Sequence, residues 1–204
     1  MISNRRHWIF VHIQKTGGNA MRTALGVELN DPHKHRFATE LRDIYGEKAW
    51  SACCKFSIVR NPWDRLVSWW STIDSYREHF NAGAIDHGFY CHILGRAQTF
   101  EEFLFRCDQD FSDSDGIKNI YRNQIDYLSD DTGRIMVDFV GRFERLPEDA
   151  ARIAARLGVR DFALPHVNRS RHGPYTEYYT EETIELVARR YRRDIERFGY
   201  RYGG

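Results

Sequence analysis

The chain lacks an excess of charge of either sign: 30 basic side chains stand against 29 acidic ones, for a formal net charge of +1 over 204 residues. A protein that coats nucleic acid by neutralising phosphates carries a larger basic surplus. No nucleic-acid partner is therefore expected, and only a local basic cleft stays open. Cysteine is scarce: Cys53, Cys54, Cys91 and Cys107 form no C-x-x-C pair, and the adjacent Cys53 and Cys54 cannot bridge each other without strain. A disulfide framework and a zinc knuckle are thereby disfavoured, and the four read as free buried thiols. No apolar run approaches the roughly 18 residues needed to cross a bilayer, and residues 1–8 show no apolar signal core. The expectation is a cytoplasmic protein without a transmembrane segment. Repeats and low-complexity tracts are absent as well.

What is present is ample core material, with 42% apolar and 14% aromatic residues. The length suits one domain spanning 1–204. Trp8-Ile9-Phe10-Val11-His12-Ile13 is a short β-branched and aromatic run that reads as a buried strand. It stops at Lys15-Thr16-Gly17-Gly18-Asn19, after which Ala20, Met21, Ala24 and Leu25 recur at helical spacing. Lys55 to Val59 repeats the pattern. Asn61 suits an N-cap, Pro62 suits the first helical position, and Trp63, Leu66, Val67 and Trp70 form an apolar face.

Further helices are expected over 39–50, 100–105 and 117–128, and from Pro147 to a stop at Gly158. A third strand is expected over 139–143. A last helix runs from near Thr180, its stripe made by Ile184, Val187, Tyr191, Ile195 and Phe198. Strands alternating with helices predict an α/β fold, a three-layer α/β/α arrangement around a central parallel sheet.

Ligands of such sheets bind at the carboxyl ends of the strands. The first strand ends in glycines, which let backbone approach an anion, followed by a helix start whose N–H groups point at it. Lys15 adds a cation and Thr16 a hydroxyl. The order differs from the nucleotide-kinase loop G-x-x-x-x-G-K-[ST], because here the lysine precedes the glycines. The second strand ends in Val59-Arg60-Asn61, with no acid to hold magnesium. Two phosphate-binding turns on neighbouring strands suggest a ligand with phosphates at two ends.

Residues 12–19, His12-Ile13-Gln14-Lys15-Thr16-Gly17-Gly18-Asn19, resemble the 5′-phosphosulfate loop of carbohydrate sulfotransferases related to the heparan sulfate 2-O- and 6-O-enzymes. Phe56 to Ser68, containing Arg60-Asn61-Pro62-Trp63-Asp64-Arg65, resembles their 3′-phosphate motif. Gly141-Arg142-Phe143-Glu144 and Leu164 to Ser170, followed by Tyr175, Tyr178 and Tyr179, resemble segments of small bacterial members. The resemblance implies a P-loop-NTPase-like sulfotransferase fold. It also implies a donor, 3′-phosphoadenosine 5′-phosphosulfate (PAPS), with a carbohydrate hydroxyl as acceptor and no required metal. It assigns Lys15 to the bridging oxygen and 5′-phosphate, Thr16, Gly17, Gly18, Asn19 and Ala20 to the cradle, and Arg60 and Ser68 to the 3′-phosphate. Where the family has proline, this chain has Gln14.

For the base that takes the acceptor proton, the resemblance points to His35, which precedes Glu40-Leu41-Arg42 at the family's spacing. His33 and a carboxylate stay open in that role. His12, at the end of an apolar strand, reads as a core histidine rather than a catalyst. Ser170 and Arg171 fit either closure over the nucleotide or a solvated basic loop. Rival readings are a P-loop-like phosphotransferase, which would depend on magnesium, and a non-catalytic nucleotide-binding protein. Residues 71–135 carry no pattern that identifies the acceptor.

Overall fold

The structure, a computed structural model, describes residues 1–3, 7–27, 31–113, 116–160, 162–165 and 172–204. In chain order its elements begin with β1 (Ile2–Ser3), β2 (Trp8–Val11), α1 (Gly18–Leu25), α2 (Ala38–Tyr45), α3 (Glu47–Ala52) and β3 (Cys54–Val59). Next come α4 (Pro62–Asp74), α5 (Arg77–Asn81), α6 (Gly88–Leu94), α7 (Phe100–Arg106), β4 (Phe111–Asp113) and β5 (Gly116–Lys118). The rest are α8 (Gln124–Leu128), β6 (Phe139–Arg142), α9 (Leu146–Arg156), α10 (Glu181–Arg190) and α11 (Arg192–Phe198). The chain forms two compact units. One is Met1–Arg60 with Gln124–Arg169, the other Asn61–Asn123 with Ser170–Gly204.

The first unit holds a four-stranded sheet in the order β1-β2-β3-β6. β2, β3 and β6 run parallel, so Phe10, Phe56 and Phe139 align across the sheet, while β1 is a two-residue antiparallel edge. Trp8, Phe10, Phe56 and Ile58 pack with Met21 and Leu25 of α1 and with Leu146, Ala150 and Ile153 of α9. The alternate residues Ile9, Val11, Ser57 and Val59 are buried too, as parallel strands require. Buried Asp149 ties α9 to the end of β6, accepting the Arg142 N–H at 2.8 Å.

The second unit is built around α4. Asn61 caps it as expected, Oδ1 accepting the Trp63 N–H at 3.1 Å, with Pro62 in the first turn. Trp63, Leu66, Val67, Trp70 and Ile73 are buried against Phe89, Ile93, Phe103, Leu104, Val187 and Tyr191. Arg65 is fully buried there, donating to the Arg122 carbonyl and the Tyr191 hydroxyl, each at 3.1 Å.

Three expected helices are subdivided or shortened. The 39–50 helix breaks at Gly46, whose φ of +83° no L-residue adopts without strain, giving α2 and α3. The final helix is interrupted at Tyr191, whose hydroxyl is tied to Ile120 and Arg65, giving α10 and α11. Over 117–128 the chain is strand first and helix only from Gln124, because Gly116–Lys118 pairs with Phe111–Asp113. Phe143, expected to end a strand, starts a single helical turn instead. Among the described residues no helix is long and apolar enough to cross a membrane.

Candidate active site

The turn after β2 holds two left-handed positions close together, Lys15 at φ +67° and Gly17 at φ +81°. A non-glycine residue in that region costs about 1–3 kcal/mol, the kind of strain found where backbone must be aimed at a ligand. Thr16 closes the turn by donating its hydroxyl to the Ile13 carbonyl at 2.9 Å. Gly17 is required twice over. Besides its φ, a Cβ there would lie 2.9 Å from Leu146 Cδ2 and 3.0 Å from the Phe143 ring. At Gly18 a Cβ would lie 1.8 Å from His12 Nε2, so the imidazole fills the space that a side chain would need. Helix α1 therefore starts as bare backbone. Gly17 provides no side-chain cap, and the first turn holds no acidic residue. Its leading N–H groups, with the positive end of the helix dipole, suit an anion. Asn19 is exposed and Ala20 buried in that first turn.

Arg60 follows the last residue of β3. Its side chain is 3% exposed, its guanidinium lies 4.0 Å from the Phe143 ring centroid, and Nη1 donates to the Lys15 carbonyl at 3.2 Å. Its backbone is held by Gln124 on both sides: Oε1 accepts the Arg60 N–H and Nε2 donates to the Arg60 carbonyl, each at 2.8 Å. Burial, then the charge of Arg60, lowers the Lys15 pKa from 10.5 to about 8. A bound anion would counter both effects. Lys15, Thr16, Gly17, Gly18 and Arg60 thus converge at the carboxyl ends of two adjacent parallel strands, the place where α/β sheets bind ligands.

The two candidate histidines face different neighbours. The His35 ring lies 4.7 Å from the His12 ring, and its backbone is left-handed at φ +67°. The His33 ring sits edge-on to Tyr45 at 5.9 Å, and the His33 backbone N–H donates to Asp31 Oδ1 at 2.7 Å. His12 is buried as expected of a core histidine, stacked on Phe10 at 5.4 Å. Its Nδ1 has no hydrogen-bond partner among the described residues. Burial, then the charges of His35 and Arg22, hold its pKa well below the usual histidine range, so it is neutral at pH 7. Ser68 belongs to the second unit, buried on α4, where its carbonyl accepts the Thr72 hydroxyl. Ser170 and Arg171 lie outside the described residues.

The substitution at Gln14 has a physical counterpart: the Tyr127 hydroxyl donates to Gln14 Oε1 at 2.8 Å, both side chains being buried. Gln124, Tyr127 and the ring of Phe143 were not legible as site residues from the sequence. Only Phe143 fell in a segment singled out for its resemblance. Gln124 lies 64 residues from its partner, and no local pattern links the two.

Fold and geometry together define an α/β protein with two cations converging on a glycine turn at the end of a parallel sheet. A family model described as Sulfotransferase family matches residues 1–201, and the chain belongs to that family, whose members are transferases that move a sulfuryl group. No curated protein and no solved structure matches the chain.

Proposed function

We propose that the chain is a PAPS-dependent sulfotransferase acting on a hydroxyl of a carbohydrate, the whole chain working as one catalytic domain on a three-layer, P-loop-like scaffold. One observation carries the reading: Lys15 and Arg60 follow neighbouring parallel strands, the Arg60 guanidinium donates to the Lys15 carbonyl at 3.2 Å, and both adjoin a glycine turn that admits no side chain. That arrangement fits a nucleotide with anionic groups at two ends.

Lys15, the backbone of residues 16–20 and the start of α1 would hold the 5′ end. Arg60 would hold the 3′-phosphate, with Ser68 added on the motif resemblance. The donor supplies an activated sulfuryl group, whose bond to the 5′-phosphate breaks as a bond to the acceptor oxygen forms. Lys15 neutralises the charge that grows on the phosphate side. His35 takes the acceptor proton on a ring nitrogen. The contact of His35 with His12, which in turn lies against Gly18, supports His35 over His33 for this role. Buried neutral His12 is a packing partner there, not a proton carrier.

The test is incubation with PAPS and a panel of saccharides, nucleotide sugars and lipid-linked sugars, read by mass spectrometry. Sulfated product that disappears in Lys15→Ala supports the reading. Product formed equally by Lys15→Ala, or a transferred phosphoryl group, contradicts it.

A further inference from the structure

Helix α8 is five residues long, yet two of its side chains reach the two cation-bearing turns of its own unit. The β3 ladder ends with Ser57 opposite Val11 and Val59 opposite Arg142, so Arg60 stands one residue beyond all strand pairing. A buried peptide group without a ladder partner must find one elsewhere. Gln124, fully buried, provides both halves of it, accepting from the Arg60 N–H and donating to the Arg60 carbonyl at 2.8 Å. This continues the sheet by one residue with a side-chain amide. Three residues on, Tyr127 donates its hydroxyl to Gln14, the residue before Lys15, at 2.8 Å. The Tyr127 ring also packs edge-on against Phe37 at 4.8 Å, two residues after His35.

We propose that α8 is a positioning element for the nucleotide site, in which Gln124 fixes the backbone from which Arg60 reaches and Tyr127 fixes the turn that carries Lys15. The proposal rests on the PAPS reading of that site. It assigns the two residues separable effects. Gln124 acts chiefly on the 3′-phosphate, because Arg60 is the group it holds, and reaches the Lys15 turn only through the Arg60 hydrogen bond to the Lys15 carbonyl. Tyr127 governs the 5′ end, because Gln14 belongs to the Lys15 turn. Neither residue touches nucleotide; each acts through another.

The separation can be read as the ratio of affinities for 3′-phosphoadenosine 5′-phosphate (PAP) and adenosine 5′-phosphate (AMP), which isolates the contribution of the 3′-phosphate. In Gln124→Met, near-isosteric but without either hydrogen bond, PAP affinity should fall by about tenfold while AMP affinity stays within about twofold, so the ratio drops. In Tyr127→Phe, which keeps the ring against Phe37, both affinities should fall together by about three- to tenfold and the ratio should hold. Should Gln124→Met fail to fold, Gln124→Asn serves the same test, since it stays a neutral amide but is one methylene too short to hold both Arg60 backbone groups. Equal loss of PAP and AMP in the Gln124 variant, as from simple unfolding, overturns the proposal, and so does an unchanged ratio. A wild-type protein that binds PAP no better than AMP would instead overturn the reading of the site itself.

Discussion

Gly18 and His12 occupy one space: a Cβ on the glycine would lie 1.8 Å from Nε2 of the imidazole and 2.0 Å from its Cδ2. A planar buried ring cannot swing aside as the end of a lysine can. Gly18→Ala should therefore destabilise the fold by about 1–3 kcal/mol or more, the usual cost of overpacking a close-packed interior. Adding His12→Ala removes the collision. The double variant should recover part of the loss, with a coupling of about 1–3 kcal/mol in a denaturant-unfolding cycle. Strict additivity would mean that the two sites do not interlock.

Lys15 gives stability and binding opposite dependences on pH. Its folded-state pKa is about 8, against 10.5 for the unfolded chain. Between these values the unfolded chain holds the extra proton, so this group adds stability as pH rises from about 8 to 10.5. Anion binding runs the other way, because the cation that receives the phosphate is being lost. PAP affinity should weaken by up to about tenfold per pH unit above pH 8, for one coupled proton. Lys15→Met should flatten both profiles when melting temperature and Kd are followed from pH 7 to 10.

Arg60 combines a charge with a shape. Its flat guanidinium lies over Phe143 and donates to the Lys15 carbonyl. Arg60→Ala should cost about 1.5–3 kcal/mol in PAP binding, the scale of a charged hydrogen bond. Arg60→Lys keeps the charge but loses the planar fork, and should recover less than half of that. Calorimetric titration measures both. Full recovery by lysine would reduce the role of Arg60 to that of a point charge.

His35→Ala should lower turnover by roughly 100-fold or more while leaving PAP affinity nearly unchanged. His33→Ala should leave both turnover and PAP affinity nearly unchanged, because that ring is engaged with Tyr45. Single-turnover kinetics of the two variants separate the candidates. A normal rate in His35→Ala would move the base to another group.

The parts of this molecule legible in its sequence are those set by local chemistry. The strand, glycine turn and helix around Lys15 could be read from apolar patterning, as could the Asn61-Pro62 helix start, because caps, turns and periodicity act over a few residues. Gly46 and Tyr191 divided helices that periodicity alone would have run together. The left-handed turn at Gly46 and the tertiary ties of Tyr191 override the pattern there. The supports of the candidate site lay furthest from view. Gln124 and Tyr127 meet Arg60 and Gln14 across 64 and 113 residues, so nothing in their neighbourhoods announces a role. The strand pairing of Gly116–Lys118, with Phe111–Asp113 as its partner, likewise overrode a short helical pattern.

The measurement that bears most directly on the proposed donor site is calorimetric titration of the purified protein with PAP, with AMP and ATP–magnesium as comparators. Micromolar or tighter PAP binding that is lost with the 3′-phosphate is the predicted result. Failure to bind PAP, or a preference for ATP–magnesium, would contradict the assignment of Lys15 and Arg60 to the two ends of a 3′-phosphorylated nucleotide.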